Sequence, residues 1–345
     1  MRVMVTGGTG FAGSHTVRRF IEAGHSVRLL VRDPAKVRRV FDPHGIAIPE
    51  ADVVQGDIVD AASVERAMVG CDAVYHGAAL VDMRRKMASQ VLATNARGVS
   101  LVVGGAVKRG LPSIVYVSSS SVFFTPGIGT IHVDMPIQPG TTAYAKSKAE
   151  GEHQVRHMQD DGAPIRTSYP SGIVGPDDPG LSDANQAIYI FIKQTGITTS
   201  SGYQIIDVRD LAEVHLRLLE QKEGAARYVA AGPMLDWHET YRVLDEITGT
   251  KLRRFPVPGA PLRVLGSLGD LVKRYIYDFE FPLTRDGIEF ATQWPGASGE
   301  RAAKELAIEY RSARETYTDT VRWMHEAGHL SAKHVGLLAL PQSLP

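Results

Sequence analysis

The chain has 345 residues, 43% of them hydrophobic and 22% charged, which is typical of a globular protein with more than one small core. Lys and Arg number 38 and Asp and Glu also 38, so the basic excess needed for broad nucleic-acid binding is missing. A single cysteine, Cys71, excludes an internal disulfide and fits a reducing compartment. No apolar run approaches the ~20 residues of a membrane helix, so we expect no stable membrane insertion.

The first half of the chain alternates short apolar strands with helices. We predict strands over 3–5, 26–31, 53–55, 73–75 and 114–118, and helices over 11–23, 61–69, 84–108 and 143–159. This alternation indicates βαβ units and a parallel sheet. Because the first strand begins at Val3 with no signal peptide ahead of it, we expect a cytoplasmic protein.

The pattern loosens from about Ser171. We predict strands over 205–208 and 226–229, helices over 209–220, 237–248, 263–275, 284–292 and 313–327, and a link rich in proline and glycine over 255–261. Residues 331–345 are expected to form a tail.

A glycine-rich loop joins the first strand to the first helix. Gly7, Gly10 and Gly13 have the spacing G-x-x-G-x-x-G in the strand-to-helix context that a dinucleotide-binding loop requires. Glycine lets the backbone turn tightly and approach a pyrophosphate, while the helix N-terminus faces the phosphates. A plain tight turn is the alternative. The residues expected to bind the cofactor here are Gly7, Thr9, Gly10, Phe11, Ala12 and Gly13.

The end of the second strand bears on the choice of cofactor. An acidic side chain there would bind the ribose 2′-hydroxyl of NAD, whereas an arginine can pair with the 2′-phosphate of NADP. The chain has Arg32 and then Asp33, with Lys36, Arg38 and Arg39 close by. We favour NADP(H), with Arg32 binding its 2′-phosphate. NAD(H) is the alternative if Asp33 points into the site, and a solvated surface charge is the other interpretation of Arg32.

Tyr144 and Lys148 are four residues apart on a predicted helix and therefore share one face. The lysine charge favours the tyrosinate, so we expect a lowered tyrosine pKa and proton transfer near neutral pH. A serine run closes the fifth strand, and its Ser119 could hydrogen-bond a substrate carbonyl oxygen while Tyr144 protonates it. Ser120 is the alternative. Lys148 would also hold the nicotinamide ribose.

In this order the motifs resemble those of the extended short-chain dehydrogenase/reductases, the NAD-dependent epimerase/dehydratase superfamily. The likeness covers about residues 1–250 and, more loosely, most of the remainder. The other features that carry it are Gly56-Asp57-Ile58, His76-Gly77-Ala78-Ala79, Asn95, Val117-Ser118-Ser119, Pro170 to Pro176, and Asp207-Val208-Arg209-Asp210.

The resemblance implies roles for several of these residues. In the family, the equivalents of Asp57 and Ile58 flank the adenine, and those of Ala78 and Ala79 line the cofactor groove. The turn from Pro170 to Ile173 contacts the nicotinamide end. Asn95 would count among the catalytic residues, because its equivalent in the family orders the long helix and a water chain.

The resemblance also implies an α/β fold, a Rossmann-type doubly wound parallel sheet with a smaller, interleaved C-terminal substrate domain. We assign residues 1–170, with about 203–232, to the NAD(P)-binding domain. Residues 171–202 and 233–330 then form the substrate domain. Family members often dimerise by pairing two long helices, so a homodimer is expected.

Within this family the details favour carbonyl reductases. Arg32-Asp33-Pro34 resembles the NADP-type loop of the dihydroflavonol-reductase-like enzymes. The stretch Ser168 to Gly172 lacks the asparagine that nucleotide-sugar epimerases usually carry, and Phe123-Phe124 replaces the usual Tyr-Gly.

The leading hypothesis is an NADP(H)-dependent reductase of a ketone or aldehyde in a medium-sized, largely apolar small molecule. An epimerase or dehydratase that holds NAD tightly and acts on a nucleotide sugar is the second. A nucleotide-binding regulator without catalysis is the third. The apolar residues expected to shape the substrate site are Tyr189, Ile190, Phe191, Tyr203, Tyr275, Tyr277, Phe279 and Phe281.

His325-Glu326-Ala327-Gly328-His329 matches the zinc-protease pattern H-E-x-x-H. That chemistry needs both histidines on one helical turn. Gly328 is a typical helix stop and would carry His329 off the helical face. We therefore predict a helix end here and no metal site.

Overall fold

The computed structural model describes residues 1–82, 85–140, 142–222, 224–264 and 285–339. Within them the strands are β1 (Arg2–Thr6), β2 (Ser26–Val31), β3 (Val53–Gln55), β4 (Ala73–His76), β5 (Ser113–Val117), β6 (Ile165–Pro170), β7 (Gly172–Val174), β8 (Gly196–Thr198), β9 (Gly202–Asp207), β10 (Ala226–Ala230), β11 (Met234–Asp236) and β12 (Arg254–Pro256). The helices are α1 (Phe11–Glu22), α2 (Ala35–Phe41), α3 (Ala61–Met68), α4 (Ala88–Lys108), α5 (Ala143–Asp160), α6 (Asp183–Lys193), α7 (Val208–Glu220), α8 (Trp237–Thr248), α9 (Arg285–Gln293), α10 (Glu300–Glu305), α11 (Ala313–Glu326) and α12 (Ala332–Val335). Residues 259–264, which include the end of the predicted link, are also helical.

The central sheet is parallel, and its seven described strands run in the order β3-β2-β1-β4-β5-β6-β10. Val3, Met4 and Val5 have no exposed surface, because helices cover both faces of the sheet. The strand order reverses between β1 and β4, and open sheets of this kind bind ligands in the crevice beyond the carboxyl ends of the strands at that point. The predicted Rossmann-type doubly wound fold is confirmed.

Two apolar cores lie on the two faces of this sheet. Helices α1 and α7 pack together on one face, where Phe20 and Leu29 are buried. Helices α4 and α5 pack together on the other, where Val102 and Ile114 are buried. The helix that carries Tyr144 therefore lies directly against the sheet.

Strand β9 lies at the boundary with a second packed body. It pairs with β7 and β11, not with the central sheet, although the sequence places its residues with the nucleotide-binding part. Ile206 packs in the core of the central sheet and Ile205 in the core of the second body, because successive side chains of a strand point to opposite faces. Helix α7 and strand β10 then return the chain to the central sheet.

The two ends of the long helix compare differently with the prediction. The long helix predicted from Arg84 begins at Ala88, after a 3-10 turn over Arg85–Met87, and Arg84 lies outside the described residues. No capping side chain marks this start, which is why it was predicted too early. The end is as predicted, because Gly110 adopts a φ of 65° just beyond Lys108.

Two segments expected to lack structure contain short elements. The link predicted over 255–261 contributes to β12, which pairs in parallel with β8 at the edge of a two-stranded sheet. Part of the expected tail forms α12 and a 3-10 turn, and Val335 is fully buried in the second body. Residues 340–345 and nearly all of the helix predicted over 263–275 lie outside the described residues.

No helix in the described ranges has the length and apolar character needed to cross a bilayer.

Asp207, at the end of β9, connects three elements. Its carboxylate accepts a hydrogen bond from the backbone N–H of Arg209 (2.8 Å), which caps α7, and forms an ion pair with the Arg209 guanidinium (2.7 Å). Thr316 of α11 donates to the same carboxylate (2.9 Å), and Arg209 also pairs with Asp319 (2.8 Å). Burial opposes ionisation, but these partners hold the pKa of Asp207 below its usual value.

We expect Asp207→Ala to lower the free energy of unfolding by about 3 kcal/mol, because it leaves the partly buried Arg209 without its nearest counter-ion. Asp236→Ala is the matched control, since it removes an exposed helix cap, and it should cost about 1 kcal/mol. Chemical denaturation followed by circular dichroism measures both. Equal losses would contradict a special role for Asp207.

Candidate functional site

The loop after β1 closes against the start of α1 through glycine. Gly7 has a φ of 77°, and a Cβ there would lie 2.7 Å from the backbone N of Ala78. A Cβ on Gly13 would lie 2.0 Å from the carbonyl oxygen of Gly7. Helix α1 begins at Phe11 with no side-chain cap and no acidic residue in its first turn, so its N–H groups and dipole are open to an anion. These features fit a pyrophosphate bound by the loop and by the start of α1, up to Ala12.

A groove of about 350 Å³ opens beside this loop. Its wall includes eight predicted cofactor-binding residues: Gly7, Thr9, Gly10, Arg32, Asp57, Ile58, Ala78 and Ala79. Helix α4 adds Gln90 and Thr94, which the sequence reasoning missed. Their i,i+4 spacing, just ahead of Asn95, is the signal that could have found them.

Five more of the predicted cofactor-binding residues lie in other elements. Phe11, Ala12 and Gly13 form the first turn of α1. Pro170 ends β6, and Ile173 lies in β7, where it packs against the core of the central sheet.

Arg32 and Asp33 have different surroundings. Arg32 is exposed, lines the groove together with Lys36, and forms no ion pair within the described ranges. Asp33 is held in its own loop, where it accepts a hydrogen bond from Ala35 N–H (3.0 Å) and pairs with Arg39 (2.7 Å). The side chain that reaches the groove is therefore the basic one.

Helix α5 brings Tyr144 and Lys148 to the carboxyl end of β5. Thr142 caps this helix by accepting a hydrogen bond from Ala145 N–H (3.1 Å). The buried Lys148 Nζ donates to the carbonyl oxygen of Val117 (3.0 Å) and lies 5.9 Å from the centroid of the Tyr144 ring. The predicted sharing of one helical face is confirmed.

The electrostatics of this pair differ from the expectation. Burial, together with the carboxylate of Asp183, raises the pKa of Tyr144 to about 12. Burial lowers the pKa of Lys148 to about 8, although the Glu152 carboxylate opposes this. The expected lowering of the tyrosine pKa is therefore wrong for the chain itself, because Lys148 turns to Val117 and burial dominates. At neutral pH Tyr144 is protonated, as a proton donor must be.

The serine run divides into two roles. Ser120 is buried and donates to the carbonyl oxygen of Pro170 (2.9 Å), which fastens the serine turn to β6. Ser119 is partly exposed, and its Oγ contacts the Oγ of Ser121 (2.8 Å). This geometry supports Ser119, not Ser120, as the hydroxyl available to a substrate.

Asn95 connects the groove to the helix of Tyr144. Its Oδ1 accepts from Leu80 N–H (2.7 Å), and its Nδ2 donates to Leu80 O (3.0 Å) and to Ser147 Oγ (2.9 Å). Ser147 in turn donates to the carbonyl oxygen of Tyr144 (2.8 Å). Asn95 therefore sets the spacing between the loop after β4, α4 and α5.

His76 is a buried neutral support under the same site. Its Nδ1 hydrogen-bonds Thr6 Oγ1 (2.7 Å), and its ring stacks on that of Tyr116 with centroids 6.0 Å apart. Burial and the nearby Lys148 charge lower the pKa of His76 to about 3. It therefore carries no positive charge near neutral pH.

The aromatic residues near the serine turn are not the ones expected from the sequence. Phe191 and Tyr203 pack against Trp237 inside the second body. Tyr189 contacts Lys193, and Tyr275, Tyr277, Phe279 and Phe281 lie outside the described residues.

An aromatic cluster that the sequence analysis did not single out follows the serine turn directly. Phe124 contacts Phe290 and Trp294 with ring centroids 5.4 and 5.7 Å away, and Phe290 is 39% exposed. Phe290 and Trp294 are four residues apart, a spacing that could have drawn attention to them.

The H-E-x-x-H pattern ends a helix, as predicted. Helix α11 stops at Glu326, and Gly328 has a φ of 78°. His325 Nδ1 hydrogen-bonds the carbonyl oxygen of Leu330 (2.8 Å), while the His329 ring lies against Trp323.

Comparisons with known proteins agree with this geometry. Residues 3–231 match the family described as NAD dependent epimerase/dehydratase. The chain is 26% identical over 333 residues to sterol demethylase protein B of Methylococcus capsulatus, covering 95% of this chain and 99% of that protein. It is 24% identical over 303 residues to a dihydroflavonol 4-reductase of Zea mays, covering 78% of each. The crystal structure of gox2253 superposes with a TM-score of 0.79 at 25% identity, covering 95% of this chain and 99% of that one. This chain belongs to the NAD dependent epimerase/dehydratase family.

Proposed function

We propose that this protein is an NADP(H)-dependent oxidoreductase that reduces a ketone or aldehyde of a medium-sized, largely apolar substrate, or oxidises the corresponding alcohol. The observation that carries the proposal is the position of α5 against the central sheet. It sets Tyr144 and Lys148 beside the end of β5, where Ser119 stands in the serine turn.

Ser119, Tyr144 and Lys148 have different tasks in this reaction. The Ser119 hydroxyl donates a hydrogen bond to the substrate carbonyl oxygen. Tyr144 gives its phenolic proton to that oxygen while the carbonyl carbon gains a hydride. NADPH, when bound, supplies the hydride. Lys148 binds the nicotinamide ribose and stabilises the tyrosinate that forms. In the oxidative direction Tyr144 takes the proton back.

The basic side chains of the groove support the preference for NADP(H). Arg32 and Lys36 line it, whereas the Asp33 carboxylate is bound to Arg39. An acidic side chain directed at the ribose 2′-hydroxyl would favour NAD instead. A guanidinium in that position can bind a 2′-phosphate through charge-assisted hydrogen bonds.

The aromatic cluster of Phe124, Phe290 and Trp294 supports an apolar, ring-bearing substrate. Flat aromatic faces bind other rings by offset or edge contacts. The names of the two relatives refer to a sterol and to a dihydroflavonol, which are both ring compounds. A partly exposed phenylalanine beside the serine turn would receive such a ring.

Tyr144→Phe should lower kcat for carbonyl reduction by at least about a hundredfold, because the proton donor is lost. The Kd for NADPH should stay within about twofold, since the ring remains in place. The matched control is Tyr189→Phe, because Tyr189 and Lys193 repeat the same spacing on α6. Retained turnover in Tyr144→Phe would remove the basis of the mechanism.

Arg32→Gln should weaken NADPH binding by about tenfold or more and leave NADH binding nearly unchanged, because only NADPH carries the 2′-phosphate. Arg38→Gln is the control, since Arg38 is an exposed arginine on α2 that is not among the residues lining the groove. Fluorescence titration measures all six dissociation constants, for the wild type, the variant and the control with each cofactor. If the wild-type protein binds NADH as tightly as NADPH, the cofactor assignment is wrong, and the epimerase or dehydratase hypothesis moves to the front.

Phe290→Ala should raise KM for a bicyclic or larger ring ketone by about tenfold while changing that for a short aliphatic ketone little, because only the ring uses the aromatic face. Phe255→Ala, at an exposed phenylalanine of β12, is the control. Steady-state kinetics over a panel of ketones tests this. Equal changes for both ketone classes would argue against the aromatic cluster as substrate surface.

A further inference from the structure

Glu152 is a buried carboxylate on the helix that carries Tyr144 and Lys148. It has no exposed surface and lies one helical turn beyond Lys148. Its Oε1 accepts hydrogen bonds from the hydroxyl of Tyr169 on β6 and from Arg156 Nε (3.0 Å). Its Oε2 is buried and has no hydrogen-bond partner among the described residues.

The anchors of Glu152 are themselves fixed. The guanidinium of Arg156 lies 5.6 Å from the centroid of the Phe123 ring, and Tyr169 is fully buried against the same ring. Burial and the Glu152 carboxylate raise the pKa of Tyr169, so its hydroxyl stays a donor. The carboxylate is therefore held in place from two sides and cannot swing to solvent.

Lys148 occupies a poor environment for a charge. It is 6% exposed, and its one described hydrogen bond goes to the carbonyl oxygen of Val117. Burial disfavours the ammonium, and the Glu152 carboxylate favours it. The other titratable groups around the pair, from β4, β5, β6, α5 and α6, are His76, Tyr116, Tyr169, Tyr144, Arg156 and Asp183.

Apart from the Asp183 carboxylate, which acts on Tyr144, none of those other groups supplies a negative charge near neutral pH. Burial lowers the pKa of His76 and raises the pKa of Tyr116 and of Tyr144, so all three stay neutral. Arg156 is positive and is bound to the carboxylate. Among the described residues, Glu152 is thus the carboxylate that acts on Lys148. The interaction runs through dry protein, where it is strong.

We propose that Glu152 is a positioning residue that keeps Lys148 charged at the end of β5, an inference that rests on the proposed function. Tyr169 and Arg156 hold the carboxylate in place from β6 and from the next turn of α5. Lys148 is then ready to bind the nicotinamide ribose over the working pH range.

The test is the pH dependence of cofactor binding by the full-length protein. The probe is NADPH or NADH, whichever the wild-type protein binds more tightly, titrated by fluorescence from about pH 6 to about pH 10. In the wild type, Kd should rise above about pH 8, as Lys148 loses its proton. Glu152→Gln removes the negative charge, so the rise should begin about one pH unit lower. At the pH midway between the midpoints of the wild type and Glu152→Gln, the variant's Kd should be roughly threefold higher than that of the wild type. At about pH 6 the two Kd values should be the same.

Two variants make the result specific. Glu150→Gln, at an exposed carboxylate on the same helix, should superimpose on the wild type. Glu152→Asp keeps the charge but withdraws it by one methylene, so its midpoint should fall between those of the wild type and Glu152→Gln. A folded Glu152→Gln with the wild-type midpoint overturns the inference. If that variant does not fold, an unmoved midpoint in Glu152→Asp overturns it.

Failure of this inference is distinguishable from failure of the proposed function. The proposed function is judged on the wild-type protein, by its turnover of carbonyl compounds and its choice of cofactor. The role of Glu152 is judged on binding midpoints of variants relative to the wild type.

Discussion

The close approach of α5 to the central sheet is the constraint on which the site depends. A Cβ on Gly151 would lie 2.8 Å from the hydroxyl oxygen of Tyr116 and 3.2 Å from a methyl carbon of Val99, so a larger residue would force either Tyr116 or the helix to shift. At this distance Lys148 reaches the end of β5 and Ser147 reaches Asn95. A helix displaced by even 1 Å would break both contacts.

Local signals explain how much of the fold could be predicted. The limits of β2, β3 and α8 agree with the sequence analysis, because their ends carry strong turn and capping residues such as Gly24, with a φ of 84°, and Asp236. The start of α4 has no such signal and was placed too early. Strand β12 is short and stable only through its pairing with β8, so no local pattern could reveal it.

Long-range packing limits how much of the candidate site could be predicted. Helical spacing correctly brings Tyr144 and Lys148 together, but it contains no information about burial, which raises one pKa and lowers the other. Phe191 and Phe290 look equally suitable as substrate contacts in the sequence. One lies in a core and the other meets Phe124, more than 160 residues earlier, and only the tertiary fold distinguishes them.

The path of the chain has a consequence for protein engineering. The chain leaves the central sheet after β6, passes through β7, β8 and β9, and returns for β10 before entering its last helices. Asp207 and Arg209 then fasten α11 to the boundary strand. A chimera that takes its substrate-binding part from a related protein therefore cannot be made by joining the two chains at a single point. It needs at least two grafted segments, and the incoming C-terminal segment must carry partners for the Asp207–Arg209 pair.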